Sequence, residues 1–212
     1  KIIAAHVLES DPDDIDYIDG FFKVKETDRL LSFKDVAHLA YLPGNYPLDV
    51  LEPGLEETTF FDPPAFTFPA GVHVVEIEVD PETGEATVER YSIGDDFGVI
   101  VNPLIVDGQT HGGVAQGVGQ ALMEDTVYDK ESGQLLSGSF LDYCMPRADD
   151  LPMISVEAIE NSTDRNPLGC KGAGEAGTIG APAAVMNAIS DALRPVGVTE
   201  LTMPATPQKI WS

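Results

Sequence analysis

Cysteine is scarce in this 212-residue chain, which contains only Cys144 and Cys170. Two cysteines cannot form a disulfide framework or hold an iron–sulfur cluster, and their separation matches no zinc-binding pattern. Long apolar runs are also lacking, since no stretch approaches the roughly 20 residues that a membrane-spanning helix requires. These shortages exclude disulfide-stapled, zinc-finger and membrane-spanning proteins, and they predict reduced thiols and a cytoplasmic location.

Basic residues are the second shortage. The chain has 12 Lys and Arg against 36 Asp and Glu, which gives a formal net charge of −24. A protein with this much negative charge repels nucleic acid and anionic membranes, so neither is expected as a partner. The acidic residues are spread over many segments, which is typical of a solvated surface, and no group of side chains has metal-ligand spacing. A lysine-poor, acidic surface also indicates adaptation to high salt, where screening removes the self-repulsion.

The hydrophobic fraction of 43% is that of a globular protein. Asp19-Gly20 predicts the turn of a hairpin, and Ser32 predicts the cap of a helix that ends near Tyr41. We divide the chain into a small leading subdomain with a proline-rich crossing segment and a main domain, over 1–71 and 72–212. Alternation and turn residues predict strands in the main domain at 72–79, 86–93, 153–159 and 198–203.

A glycine-rich stretch from 166 to 182 organises the chain. It contains five glycines and only two charged side chains, Lys171 and Glu175. Apolar residues at helical spacing follow, and Pro182 suits the first position of that helix. Glu175 is therefore expected on a glycine-walled loop near a helix N-terminus, where unpaired N–H groups favour negative charge. Two interpretations stay open: Glu175 is a reactive carboxylate, or it only caps the helix.

A second glycine-rich stretch, 108–124, carries a helical apolar stripe. Gln116, Gly117 and Gln120 belong to another face of this helix. Each glycine in a helix costs about 1 kcal/mol relative to alanine, so tight packing or a close ligand must offset it. Glutamine amides donate and accept hydrogen bonds, which suits a cofactor with mixed polar edges. A helix crossing with two exposed glutamines is the alternative interpretation.

Four ordered motifs resemble one family closely. The chain is similar to the C-terminal part of the molybdenum-binding large subunit of the xanthine oxidase, aldehyde oxidase and carbon monoxide dehydrogenase family. The motifs are Gly108-Gln109-x-His111-Gly112-Gly113-x-Ala115-Gln116-Gly117-x-Gly119-Gln120-Ala121-Leu122, Asp142-Tyr143-x-Met145-Pro146-Arg147-Ala148, Lys171-Gly172-Ala173-Gly174-Glu175-Ala176-Gly177 and Met203-Pro204-Ala205-Thr206-Pro207.

This resemblance implies an α+β fold of the molybdenum-cofactor-binding type, with mixed sheets and packed helices. It implies that Glu175 is the general base that takes the proton from a Mo–OH group. Such a base must lie within hydrogen-bond reach of the proton. It also implies molybdopterin as the cofactor, in its cytosine dinucleotide form, with Gln116 bonded to it. The other cofactor-binding residues that it implies are Gly117, Gly119, Lys171, Gly172, Ala173 and Gly174.

The same resemblance implies partners. Iron–sulfur clusters and FAD are expected on separate subunits, and the N-terminal half of the molybdenum subunit is expected to complete the site. The implied reaction is hydroxylation of an aldehyde, an N-heterocycle or carbon monoxide, with water as the oxygen source, and the chain alone is expected to be inactive. A non-catalytic assembly module with the same fold is the alternative.

The charge balance generates a prediction about salt. We expect the free energy of unfolding to increase from low to molar KCl, because screening reduces repulsion between the acidic side chains. Chemical denaturation at several KCl concentrations measures this, with sucrose at matched osmolality as the uncharged control. Stability that stays flat in KCl would contradict the salt-adaptation hypothesis.

Overall fold

The structure is a computed structural model that describes residues 1–198 and 200–212. The chain forms two compact units, Lys1–Asp62 and Pro63–Ser212. The division therefore falls earlier than the sequence-based boundary after residue 71. The following strand already begins at Ala70, and the proline-rich stretch directly before it belongs to the second unit.

The first unit combines two helices with a three-stranded antiparallel sheet. Its helices are α1 (Ile2–Val7) and α2 (Phe33–Ala40), and its strands are β1 (Ile15–Ile18), β2 (Phe21–Val24) and β3 (Leu30–Ser32). The strands follow the order β1-β2-β3, and Ile15 pairs with Val24 across the first hairpin. Asp19 and Gly20 both have positive φ at its turn, so the predicted hairpin is confirmed.

Ser32 caps α2 as the sequence predicts. Its hydroxyl oxygen accepts a hydrogen bond from the Asp35 N–H at 3.1 Å, and the hydroxyl donates to the Asp35 carboxylate at 2.6 Å. A cap of this kind satisfies one of the N–H groups that a helix start leaves unpaired. Behind α2, a small core forms around Ile15, Val36 and Ala40.

The second unit is built on a mixed sheet of β4 (Ala70–Val79), β5 (Ala86–Asp96) and β6 (Ile154–Ala158). β4 and β5 are antiparallel, whereas β6 lies parallel to β5. A parallel pair needs a long crossover, and the helix α3 (Pro103–Leu122) lies in that connection. β5 extends three positions beyond its predicted end at residue 93, so Asp95 and Asp96 belong to the strand.

Two long helices cover the mixed sheet, α3 and α4 (Ala176–Leu193). They contact each other and share one core with β4 and β5, whose buried members include Tyr91, Val118, Val185 and Ile189. α3 begins earlier than the predicted pattern because Asn102 caps it, accepting a hydrogen bond from the Ile105 N–H at 3.3 Å. These helices and sheets confirm the predicted α+β class with mixed sheets and packed helices.

Two sequence-based expectations are wrong. Pro182 lies inside α4 rather than at its first position, because α4 already begins at Ala176. The stretch 198–203 forms no strand within its described residues, which exclude Thr199. Instead, the chain beyond it docks on the end of α3, where the Ala205 N–H donates to the Ala121 carbonyl at 2.6 Å, before α5 (Pro207–Trp211).

Four short 3₁₀ helices complete the described elements, at Pro12–Asp14, Pro43–Asn45, Ala148–Asp150 and Arg194–Val196. Within the described ranges, every helix is too short or too polar to cross a membrane.

Two isoleucines of α4 provide a test of this core. Ile189 is fully buried, whereas Ile179 is 72% exposed. We expect Ile189→Ala to lower the free energy of unfolding by about 2–5 kcal/mol, because it removes buried methyl groups and leaves a cavity. Ile179→Ala is the matched control and should change it by less than about 0.5 kcal/mol. Equal effects in denaturant titrations would contradict the placement of the core.

Candidate functional site

The close contact between α3 and α4 sets the geometry of the site. Gly117 is buried in this contact, and a β-carbon added there would lie 2.5 Å from that of Ala181 and 2.9 Å from Cδ of Pro182. Real β-carbons do not approach so closely, so the helices can pack at this distance only because residue 117 is glycine. Tight packing, one of the two predicted alternatives, therefore accounts for the glycine at this position.

Gln116 lies beside this contact and reaches α4. The Thr178 hydroxyl is 3.2 Å from both the Gly113 carbonyl and the Gln116 side-chain oxygen, so it can donate to either. The amide nitrogen of Gln116 has no acceptor among the described residues and remains available to a ligand. Gln120 is also exposed on α3.

The glycine-rich loop is fastened to the end of β5. The Lys171 ammonium lies 2.5 Å from the Asp96 carboxylate, and the Lys171 N–H donates to the Phe97 carbonyl at 2.8 Å. The Lys171 side chain, helped by the Gly98 N–H, holds the pKa of the Asp96 carboxyl below its usual value. The ammonium of Lys171 therefore has a partner within the protein, and its side chain shapes the loop.

Glu175 is the N-cap residue of α4, but its side chain makes no capping hydrogen bond. It is exposed and has no ion-pair partner among the described residues. The capping interpretation therefore lacks the bond that it requires. The backbone on either side is held firmly, since the Gln109 amide donates to the Gly174 carbonyl at 2.8 Å and the Ile179 N–H donates to the Glu175 carbonyl at 2.9 Å.

The remaining residues that were predicted to bind the cofactor lie in two separate places. Gly172, Ala173 and Gly174 lie on the loop before Glu175, and the Gly172 N–H donates to the Thr67 carbonyl at 3.2 Å. Gly119 lies elsewhere, on a side of α3 that packs against Glu124 and Pro146.

Sequence reasoning quoted Gln109 in a motif but did not assign it to the site. Gln109 lies two helical turns before Gln116, and this spacing places both residues on one face of a helix. That spacing could have placed Gln109 on the same face of α3 as Gln116, whereas its bond to Gly174 depends on long-range packing.

The arrangement has the chemistry of one wall of an anion- or cofactor-binding site. It presents an unpartnered carboxylate, glutamine amides and the start of a long helix, where the first N–H groups have no intrahelical acceptor. These groups fit a ligand with many polar edges. Within the described part of the chain, no group of three His, Cys, Asp or Glu side chains could hold a metal ion by itself.

The fold is that of a molybdopterin cofactor-binding domain. The family described as "Molybdopterin cofactor-binding domain" matches residues 1–152, and the chain belongs to this family. The predicted resemblance to the molybdopterin-binding large subunits is thereby confirmed, since several relatives are subunits of that kind.

The chain is 43% identical over 209 residues to the nicotine 6-hydroxylase large subunit of Paenarthrobacter nicotinovorans, covering 98% of this chain and 26% of that protein. It is 37% identical to the carbon monoxide dehydrogenase large chain of Hydrogenophaga pseudoflava, covering 99% and 26%. The structure of quinoline 2-oxidoreductase from Pseudomonas putida 86 superposes with a TM-score of 0.90 at 35% identity, covering 99% of this chain and 27% of that one. The chain thus spans about a quarter of the length of these relatives.

Two glycines of α3 test the packing. We expect Gly117→Ala to lower the free energy of unfolding by about 1–3 kcal/mol, because the new methyl group collides with α4. Gly108→Ala is the matched control, since nothing lies within 4 Å of its added β-carbon, and it should stabilise α3 by about 0.5–1 kcal/mol. Thermal or denaturant unfolding measures both, and destabilisation of equal size would contradict the close helix contact.

Proposed function

We propose that this chain forms part of the molybdenum-binding subunit of a hydroxylase and that Glu175 is its general base. The observation that carries the proposal is a carboxylate that is exposed and unbonded while the backbone around it is fixed. The reaction class is oxidative hydroxylation of an aldehyde, an N-heterocycle or carbon monoxide, with water as the oxygen source. The names of the relatives, which include a nicotine hydroxylase and carbon monoxide dehydrogenases, support this class.

In this proposal, the bound molybdenum cofactor supplies an oxygen nucleophile derived from water and an acceptor for the electron pair that the substrate loses. The Glu175 carboxylate takes up the proton that this nucleophile releases as it attacks an electron-poor carbon. A general base must be unprotonated and must reach its proton at hydrogen-bond distance. Among the described residues the Glu175 side chain has no competing donor, and the loop is fixed at Gly174, so the carboxylate would be free to turn toward that proton.

The cofactor is proposed to be molybdopterin in its cytosine dinucleotide form. The Gln116 amide nitrogen would donate to it, and the backbone of Gly172, Ala173 and Gly174 would form the wall beside it. Lys171 would contribute by holding that wall, because its ammonium is bonded to Asp96. The part played by Gly117 would be to let α3 approach α4, and Gly119 would support α3 from its far side.

Partners are also part of the proposal. The remainder of the molybdenum subunit would cover the wall. Several apolar side chains of the second unit support this, because they are exposed near the loop and the start of α4, with Phe66 at 88%, Phe68 at 76% and Ile179 at 72%. Iron–sulfur and FAD subunits would remove the electrons, since the two cysteines are free and too few to hold a cluster. Free thiols also support a cytoplasmic location.

The direct test is Glu175→Gln in the assembled enzyme. This substitution keeps the size and polarity of the side chain but removes its ability to accept a proton, so we expect kcat to decrease by roughly 100- to 10,000-fold. Steady-state turnover with each substrate class measures the effect.

Glu89→Gln is the matched control, because Glu89 is an exposed glutamate of β5 outside the site, and its turnover should be unchanged. Molybdenum content, measured by elemental analysis, should be equal in the wild type and both variants. Turnover that persists in Glu175→Gln at full molybdenum content would contradict a role as base and would favour an assembly module.

A further inference from the structure

Asp95 and Asp96 are the last two residues of β5. Asp96 pairs with Lys171 before Glu175, and Asp95 lies beside His73, whose ring contacts α4 at Gly180. Successive strand residues point to opposite faces of a sheet, so neighbouring carboxylates can contact different elements. We propose that these two carboxylates position Glu175 from both sides, Asp96 through Lys171 before it and Asp95 through His73 after it. The inference rests on the proposed function of Glu175, and it assigns positioning residues to the same site.

On the Asp96 side, the contact is an ion pair between two side chains that are largely shielded from solvent. The side chains of Lys171 and Asp96 are 15% and 14% exposed, and their charged atoms are 2.5 Å apart. The other Asp96 oxygen accepts hydrogen bonds from the N–H groups of Gly98 at 2.9 Å and Asn161 at 3.2 Å. Charge-assisted bonds of this kind are shorter and stronger than neutral ones. They fix the loop at residue 171, shortly before Glu175.

The Asp95 side passes through a histidine. The His73 Nε2 lies 3.8 Å from the Asp95 carboxylate, and the side chains are 6% and 2% exposed. His73 Nδ1 is 2.8 Å from the Tyr91 hydroxyl. Burial raises the pKa of Tyr91, so its hydroxyl stays protonated and can either donate to His73 Nδ1 or accept from it.

The ring of His73 is in direct contact with α4, so the position of the ring affects the position of the helix. A β-carbon added at Gly180 would lie 2.7 Å from both Cε1 and Nε2 of the His73 ring. The imidazole therefore lies flat against the backbone of α4 within its opening turns. A ring that is hydrogen-bonded to Tyr91 and packed beside Asp95 would fix the height of the helix start above the sheet, and with it the N-cap residue Glu175.

The Oδ2 atom of Asp95 is buried and accepts no hydrogen bond from the described residues. Burying such an oxygen costs free energy, which the packing of Asp95 against its neighbours has to offset. Among the described residues, Asp95 and Asp96 form no ion pair with Glu175, so in this proposal both act through the backbone. They are positioning residues.

Hydrogen exchange in the assembled enzyme tests the proposal independently of turnover. We expect Lys171→Met, which removes a charge-assisted hydrogen bond, to increase the exchange rates of the amides in 172–178 by roughly 10- to 100-fold. His73→Ala removes the hydrogen bond to Tyr91 and the ring packed on Gly180, and we expect an increase of similar size. kcat should decrease by about 100-fold with little change in KM, because the base is misplaced rather than removed. Amides in the middle of β4 and β5 should keep their protection, which shows that the fold is intact.

Two further variants sharpen the test. Lys171→Arg retains the positive charge and should restore most of the protection and turnover that Lys171→Met loses. Arg90→Met is the matched control, because it breaks an exposed ion pair with Glu76, at 3.6 Å with 77% and 60% exposure, on the same sheet. It should change neither exchange nor turnover.

The possible failures are distinguishable. Unchanged exchange in 172–178 for both Lys171→Met and His73→Ala would overturn the positioning proposal, even if Glu175→Gln abolishes turnover. Faster exchange in these variants, combined with normal turnover in Glu175→Gln, would support the positioning of the segment and reject Glu175 as the base. If the amides in 172–178 exchange as fast in Lys171→Arg as in Lys171→Met, the ion pair with Asp96 is not what holds this segment.

Discussion

The close approach of α3 and α4 is the constraint on which the candidate site depends. Side chains larger than hydrogen at Gly117 would push the helices apart, because Ala181 and Pro182 already occupy that space. At this distance, Gln116 reaches the Thr178 hydroxyl. The same contact determines where α4 can begin, and a helix that begins at Ala176 leaves the preceding glutamate at its N-cap.

A second property of the candidate site is that its bonds hold the backbone, while the side chain of Glu175, the proposed base, has no bonded partner among the described residues. Lys171 is tied to Asp96 on one side of Glu175, Gly174 is held by Gln109, and Gly180 lies against His73 on the other side. A carboxylate bonded into this network would have to break those bonds before it could accept a proton. Fixing the chain around Glu175 supplies orientation without that cost, which is the general logic of a preorganised base.

Much of the local structure could be derived from the sequence, because its causes are local. The Asp19-Gly20 turn, the Ser32 cap and the alternation of β4 depend on residues within a few positions of each other. The glycine-rich loop with its single glutamate was also recognisable. Four ordered motifs then indicated the family, and the match to the molybdopterin cofactor-binding domain confirms it.

Only the tertiary structure decided how these parts meet. The Lys171–Asp96 pair joins residues 75 positions apart, and Gln109 reaches Gly174 across 65 positions, so no periodic pattern could reveal either bond. The start of α4 was misplaced at Pro182 for the same reason, since packing against α3 extends the helix back to Ala176. The sequence by itself determined the Asp19-Gly20 turn, the Ser32 cap, most of the strands and the residue types of the proposed site. Long-range packing decided their positions, because contact between distant segments depends on the three-dimensional fit of the elements.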